Sequence, residues 1–329
     1  MNKIIKLFSA LLITISLFSC NNINNENKNI KSTISGKLTI FHAGSLSVPF
    51  KQISKEFEAK YPNVKVLRES AGSVTCARKI TDLKRDCDIM ASADYTVINK
   101  LLVPDYAGWN IKFASNEMAI AFTDKSKYQN QINQKNWFNI LLKNDVYYGR
   151  SDPNSDPCGY RSVLTTKLAA TYYNNPNLPE KLLSKDNNFI RPKEVDLLSL
   201  LENNSIDYIF IYRSVAEQHN LNFILLPDSI NLKKPELTEY YSKVSVKIKG
   251  KKPNEFLTQK GEPMVYGITL LNNAPNKPAA NAFMDFLLSK DYGMKIMEEN
   301  GQPSVIPSTS KTFDKIPEKW KKYAKAESK

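Results

Sequence analysis

Three turns, each set between a strand-like run and a helix-like run, constrain this chain more than any other feature. Phe41-His-Ala-Gly-Ser-Leu-Ser47 closes the apolar run that begins at Lys37. Glu69-Ser-Ala-Gly-Ser73 follows Val64-Lys-Val-Leu67. Ser151-Asp-Pro-Asn-Ser-Asp-Pro157 follows Val146-Tyr-Tyr-Gly149 and carries acids. A strand that ends in such a turn and feeds a helix builds a parallel, doubly wound sheet. The helix start then presents free backbone N–H groups, the usual means of holding a small oxyanion. On the turns alone, the chain reads as an anion binder.

The rest of the sequence extends the alternation. Phe50, Ile53, Phe57 and Tyr61 fall on one face of a helix between Val48 and Tyr61, and Cys87-Asp-Ile-Met-Ala91 reads as a third strand. Met118 to Thr123 reads as a strand leaving this first unit. A second unit follows, with a helix from Cys158 to about Tyr173, a helix from Lys193 to Leu201, the buried-type strand Asp207 to Ile211 and a helix around Val215. Ser242 to Ile248 alternates as an edge strand would. Met264 to Leu271 reads as a strand that returns to the first unit, and helices follow over Lys277–Leu288 and Tyr292–Glu299. A chain of 329 residues exceeds one ordinary core. The expected architecture is α/β with two lobes, residues 37–115 plus 268–329 and residues 116–267, each a doubly wound, mostly parallel sheet. Crossover strands form the hinge, and the cleft lies at the carboxyl ends of the strands.

The N-terminus is of another kind. Lys3 and Lys6 precede an apolar run from Leu7 to Phe18, too short for a membrane span and suited to a signal segment over residues 1–19. Leu17-Phe-Ser-Cys20 has the form of a lipobox, with Cys20 as the lipidated residue; a plain signal peptide cut near Cys20 is the alternative. Residues 20–36 are rich in Asn, Lys and Ser and read as a disordered tether. The formal charge of +13 falls to about +11 without Lys3 and Lys6. Its lysines and arginines are dispersed, apart from a cluster over Lys319–Lys329, and no stacking motif accompanies them. The reading is a solvated basic surface that steers anions, with no nucleic-acid partner. Cys76, Cys87 and Cys158 are an odd set, which excludes a complete disulfide framework. A Cys76–Cys87 bridge and two free thiols both remain open. A zinc site is not expected, since His42 and His219 lack ligand spacing.

The strings Phe41-His-Ala-Gly-Ser-Leu-Ser47, Ser92-Ala-Asp-Tyr95 and Asp156-Pro-Cys-Gly-Tyr-Arg161 are uncommon and occur in this order. With them, from about Lys37 to about Pro307, the chain resembles the tungstate/molybdate-binding proteins of ABC importers, in particular the archaeal-type tungstate-binding group. The resemblance implies a periplasmic-binding-protein fold and a binder, not an enzyme. It implies a bound tungstate or molybdate with no cofactor, and an ABC permease with its ATPase subunit as partners. The receptor is expected to be monomeric and to touch the membrane only through its lipid anchor, on the periplasmic or extracytoplasmic face. A receptor for sulfate or phosphate is the alternative.

In that group an Asp in Asp-Pro-Cys-Gly-Tyr-Arg and a Glu on the next helix add two ligands to the metal, and tetrahedral tungstate becomes approximately octahedral. Asp156 matches the first by motif. Glu194 is the candidate for the second, with Asp196 and Glu202 as neighbouring alternatives and a helix-first-turn acid as its bland reading. Sulfur and phosphorus do not readily expand their coordination, so the carboxylates would exclude sulfate and phosphate. Tyr212 matches the family tyrosine that donates to an oxo atom; otherwise it is a core tyrosine. Gly44 lets the backbone approach a ligand, and Ser45 and Ser73 donate from the two Gly/Ser turns; otherwise each serine is an ordinary N-cap. Pro157 shapes the third turn, Cys158 supplies a backbone N–H there, and Arg161 supports Asp156 by ion pairing. A cysteine hydrolase built on Cys158 with His42 or His219 is the enzymatic alternative.

Overall fold

A computed structural model describes residues 34–250 and 254–327. The signal segment, Cys20 and the tether as far as residue 33 lie outside the described residues. The first strand, β1 (Gly36–Ala43), ends in the short 3-10 turn Gly44–Leu46 and feeds α1 (Ser47–Lys60). β2 (Val64–Ala71), α2 (Ser73–Thr81) and β3 (Ile89–Ser92) repeat the unit. Then come β4 (Ile111–Ser115) and β5 (Met118–Phe122). β6 (Tyr148–Ser151) leads through the acidic turn to α3 (Pro157–Tyr172). β7 (Ile190–Arg191), β8 (Tyr208–Tyr212), α4 (Arg213–Gln218) and β9 (Asn222–Leu225) complete this part. A hairpin of β10 (Ser245–Lys249) and β11 (Phe256–Lys260) precedes β12 (Val265–Leu270), α5 (Lys277–Leu287) and α6 (Gly293–Glu299).

These strands form two five-stranded sheets of matching design, in the orders β2-β1-β3-β12-β4 and β7-β6-β8-β5-β9. In the first, β12 runs antiparallel to both β3 and β4 while β1 is parallel to β2 and β3. In the second, β5 is the reversed strand, antiparallel to β8 and β9, and β6 is parallel to β7 and β8. Each sheet is thus parallel except for one reversed strand beside a crossover. The chain passes from the first sheet to the second over Asn116-Glu117 and returns just before Val265. β5 and β8 are buried along their whole lengths, which explains their continuous apolar runs.

Most of the sequence-level elements appear within a few residues of their expected bounds. Two differ. The helix expected from Lys193 begins as a 3-10 turn, Glu194–Leu197, after an extended Lys193, and becomes α-helical only over Leu198–Glu202. The edge strand near Ser245 belongs to neither large sheet; it pairs with β11. Of the two states left open for Cys76 and Cys87, the structure has free, buried thiols.

The aromatic spacing read from the sequence produces a packed layer. Phe50, Ile53 and Phe57 of α1 are fully buried against α5, and Phe57 meets the rings of Phe283 and Phe286 edge-on at 5.1 and 5.7 Å. Burying a ring of this kind contributes about 1.5–3 kcal/mol. Phe57→Ala is therefore expected to lower unfolding stability by about 3–5 kcal/mol in urea titration; a loss below about 1 kcal/mol would contradict this packing.

Candidate oxyanion-binding site

The motif residues lie at the carboxyl ends of β1, β2, β6 and β8, where the two sheets face one another. The lobes are in close contact there. A Cβ on Gly72 would stand 2.2 Å from the Ser155 carbonyl oxygen, and Thr75 N–H donates to that oxygen at 3.2 Å. A Cβ on Gly44 would stand 2.8 Å from both Glu194 carboxyl oxygens. Glycine is thus required at both turns so that the opposite lobe can approach, a role visible at Gly44 in the sequence but not assigned to Gly72.

Ser45, Ser73 and Tyr212 are all buried, and each hydroxyl oxygen accepts a hydrogen bond from the protein. Ser45 accepts from the Tyr266 hydroxyl at 3.0 Å. Tyr266 can give its proton away because its own oxygen accepts from Asn116 Nδ2 at 2.8 Å and Gln302 Nε2 at 3.2 Å. Ser73 accepts from Ala93 N–H at 2.9 Å, and Tyr212 accepts from Arg161 Nη1 at 3.1 Å. With its oxygen so engaged, each hydroxyl keeps its proton for another acceptor. Tyr266, Asn116 and Gln302 carried no signal in the sequence, because they come from the crossover segments and the C-terminal region.

Asp156 caps α3: its Oδ1 accepts from Cys158 N–H at 3.3 Å, with Pro157 at the first helical position. Its Oδ2 accepts from Glu194 N–H at 3.0 Å. The Cys158 N–H expected to face a ligand is therefore engaged by the Asp156 carboxylate, a correction that follows from N-cap chemistry. Glu194 is fully buried, and its carboxyl oxygens accept from no N–H or hydroxyl donor; its hydrogen bond is to the Asp156 carboxyl. Burial, then the neighbouring Asp156 charge, push the Glu194 pKa well above its ordinary range. Burial also raises Asp156, although its hydrogen bonds oppose the shift. Asp196 is partly exposed and pairs with Lys193 at 3.5 Å, and Glu202 is exposed, so Glu194 is the acid that meets Asp156. Among the described residues no group of three or more His, Cys, Asp and Glu could hold a metal cation.

Arg161 does not support Asp156. Its guanidinium lies 3.3 Å from Asp94 and also donates to the Ala93 carbonyl at 2.8 Å, because the helix turn carries it past Asp156 toward the end of β3. The nucleophile reading of Cys158 also fails: the thiol is fully buried, its pKa is raised well above the usual range by burial, and it points to the Phe210 carbonyl. His42 is buried and held neutral, its pKa pushed down to about 4 by burial, with Nδ1 on the Ala43 carbonyl. His219 is exposed at the end of α4.

Two mostly parallel lobes, with hydroxyls and carboxyls facing one another across strand ends, define a solute receptor of the periplasmic-binding type. The chain belongs to the bacterial extracellular solute-binding protein family, matched over residues 38–301, which puts it outside the cytoplasm and among transport proteins, not enzymes. It is 50% identical to an uncharacterized solute-binding protein of Petrotoga mobilis, over 89% of this chain and 91% of that one. It is 42% identical to the molybdate/tungstate-binding protein WtpA of Thermococcus kodakarensis, over 98% and 96%. The fold is that of the periplasmic molybdate-binding protein of Azotobacter vinelandii, with a TM-score of 0.59, 15% identity and coverage of 82% and 99%. No helix among the described residues is long and apolar enough to cross a membrane.

The raised pKa of Glu194 has a definite sign for stability. In the unfolded chain this acid loses its proton near 4.5, whereas the folded protein retains it. Stability associated with Glu194 is therefore full below pH 4.5 and is lost as pH rises toward the raised value. The melting temperature of ligand-free Glu194→Gln, minus that of wild type, is expected to grow from pH 4.5 to pH 7. A pH-independent difference would contradict the buried, protonated state.

Proposed function

We propose that the chain is a lipid-anchored receptor that captures tungstate or molybdate between its lobes and delivers it to an ABC importer. The observation that carries the reading is the buried Glu194 carboxyl beside Asp156, with no N–H or hydroxyl donor on either of its oxygens. Toward sulfate or phosphate this pair has no role as a ligand, and any charge it carries repels, because sulfur and phosphorus in these anions keep four oxygens. Toward tungsten or molybdenum the same carboxylates are ligands, raising the coordination from tetrahedral to approximately octahedral. Repulsion of the wrong anions and attraction of the right one then come from the same two residues.

Ser45, Ser73 and Tyr212 donate to the oxo atoms in this reading, helped by the helix start at Ser73. Gly44 gives Glu194 its place. The name of the Thermococcus relative supports the choice of anion. The two lobes close by bending at the crossovers over Asn116-Glu117 and just before Val265. Cys20 carries the lipid, the tether lets the receptor reach the permease and its ATPase subunit, and the receptor acts as a monomer without a cofactor. The net positive charge draws the dianion toward the cleft.

Titration calorimetry with tungstate, molybdate and sulfate at equal ionic strength tests the assignment. Wild type is expected to bind the first two tightly, one to one, with no heat from sulfate. Asp156→Ala is expected to lose about 100-fold in tungstate affinity, or about 3 kcal/mol, and so to narrow the preference over sulfate. An unchanged tungstate-to-sulfate ratio in the variant would refute the coordinating role, and sulfate binding as tight as tungstate in wild type would favour the sulfate or phosphate alternative.

A further inference from the structure

Beyond the Ala93 N–H that holds Ser73, the string Ser92-Ala-Asp-Tyr95 meets the end of Asp156-Pro-Cys-Gly-Tyr-Arg161 across the cleft. Asp94 lies just after β3 in the first lobe and is buried. Its Oδ1 caps the turn by accepting from Thr96 N–H at 2.8 Å. Its Oδ2 receives groups from the opposite side: the Tyr160 hydroxyl at 2.5 Å, the Arg161 guanidinium at 3.3 Å and Gln259 Nε2 at 3.4 Å. Tyr160 and Arg161 are on α3, and Gln259 is on β11, whose hairpin is tied to α3 by Lys167 Nζ on the Ser245 carbonyl at 2.6 Å. Arg161, Tyr160 and Gln259 are all buried.

We propose that Asp94 and Arg161 form an interlobe latch that holds the closed receptor and positions two of the anion-facing hydroxyls. Arg161 spans the site. One nitrogen donates both to the Ala93 carbonyl and to the Tyr212 oxygen, and the Ala93 N–H donates to Ser73. Both faces of one peptide unit region are thereby used: the Ala93 N–H fixes Ser73 on the first lobe, and the Ala93 carbonyl fixes Arg161 and through it Tyr212 on the second. The guanidinium cannot accept a hydrogen bond, so the Tyr212 proton is directed away from it. Opening the cleft carries α3 away from β3 and leaves Asp94 and Arg161 without each other, a buried charged pair broken on both sides. In the closed state their attraction is strong because water is excluded, and the Tyr160 and Gln259 bonds to the same Asp94 oxygen offset the desolvation of the charges. The latch therefore acts on the closed state and slows release.

Arg161 and Asp94 are positioning residues here; neither is assigned to touch the anion. The inference rests on the oxyanion reading above, and the test separates the two. Tungstate release is followed by stopped flow, and lobe closure by small-angle scattering, in wild type, Arg161→Met, Asp94→Asn and the double variant. Each single variant is expected to release tungstate about 10- to 100-fold faster, with an association rate within about threefold of wild type and an unchanged preference over sulfate. The double variant is expected to release no faster than the worse single variant, because the two residues act as one unit. At saturating tungstate the variants are expected to scatter as more open particles, a result that loss of stability alone does not produce. Arg161→Lys, which keeps the charge opposite Asp94, is expected to recover part of the loss and guards against misfolding of Arg161→Met. Wild-type release rates in the single variants, or effects that multiply in the double variant, would overturn the latch. Failure of wild type to bind tungstate or molybdate would refute the oxyanion reading instead; the latch would then be overturned if ligand-free variants and wild type scattered identically.

Discussion

Burying the Glu194 carboxyl beside Asp156 removes two oxygens from water with no N–H or hydroxyl donor in return, only the hydrogen bond between the two acids. An unsatisfied buried polar group costs about 1–3 kcal/mol, and a second carboxyl at close range adds repulsion. The surrounding structure is arranged around this cost. Asp156 is held from two sides by backbone N–H groups, one of them the N–H of Glu194 itself. Glu194 stands on a 3-10 turn that lets it reach Gly44 across the cleft, and Gly44 has no Cβ to meet it. The two acids thus share one geometry, and any change at Gly44 or in the turn before Glu194 is felt at both.

The hydroxyls obey a second constraint. A buried serine or tyrosine whose oxygen already accepts a bond from the protein has its O–H oriented away from that donor, toward another acceptor. Tyr266, the Ala93 N–H and Arg161 do this for Ser45, Ser73 and Tyr212 in turn. Three separate elements supply these donors: the returning strand, the end of β3 and α3. Closure and donor orientation are therefore linked, since the Arg161 bridge between Tyr212 and the Ala93 carbonyl exists only when the lobes meet. The crossover at Asn116 joins the same web, donating to Tyr266 and to Ser214 beside Tyr212.

Much of this was legible from the sequence where the signal is local. Strand, turn and helix follow one another at Phe41–Ser47 and at Glu69–Ser73, and the buried face of α1 was readable from Phe50, Ile53 and Phe57. The motif around Asp156 located the acidic turn. What the sequence did not carry was long-range pairing. Arg161 was paired with Asp156 because they are one turn apart; its partner, Asp94, lies far earlier in the chain and reaches it only across the cleft. Cys158 was read as a free donor because its N–H is at a helix start, but an Asp at the preceding cap takes that N–H first. The alternation near Ser245 marked an edge strand, which β10 is, but only the fold decides that its partner is β11. Gly72, Tyr266 and Gln302 act through contacts from distant segments and left no local pattern.

The most direct test of the central claim is the coordination of the bound metal. Tungsten-edge X-ray absorption on the complex of wild-type protein with tungstate reports the number and distances of oxygen neighbours. Ligation by Asp156 and Glu194 predicts a six-coordinate spectrum with two oxygens at longer distance, reverting toward four-coordinate tungstate in Asp156→Ala. A tetrahedral spectrum for the wild-type complex would contradict it.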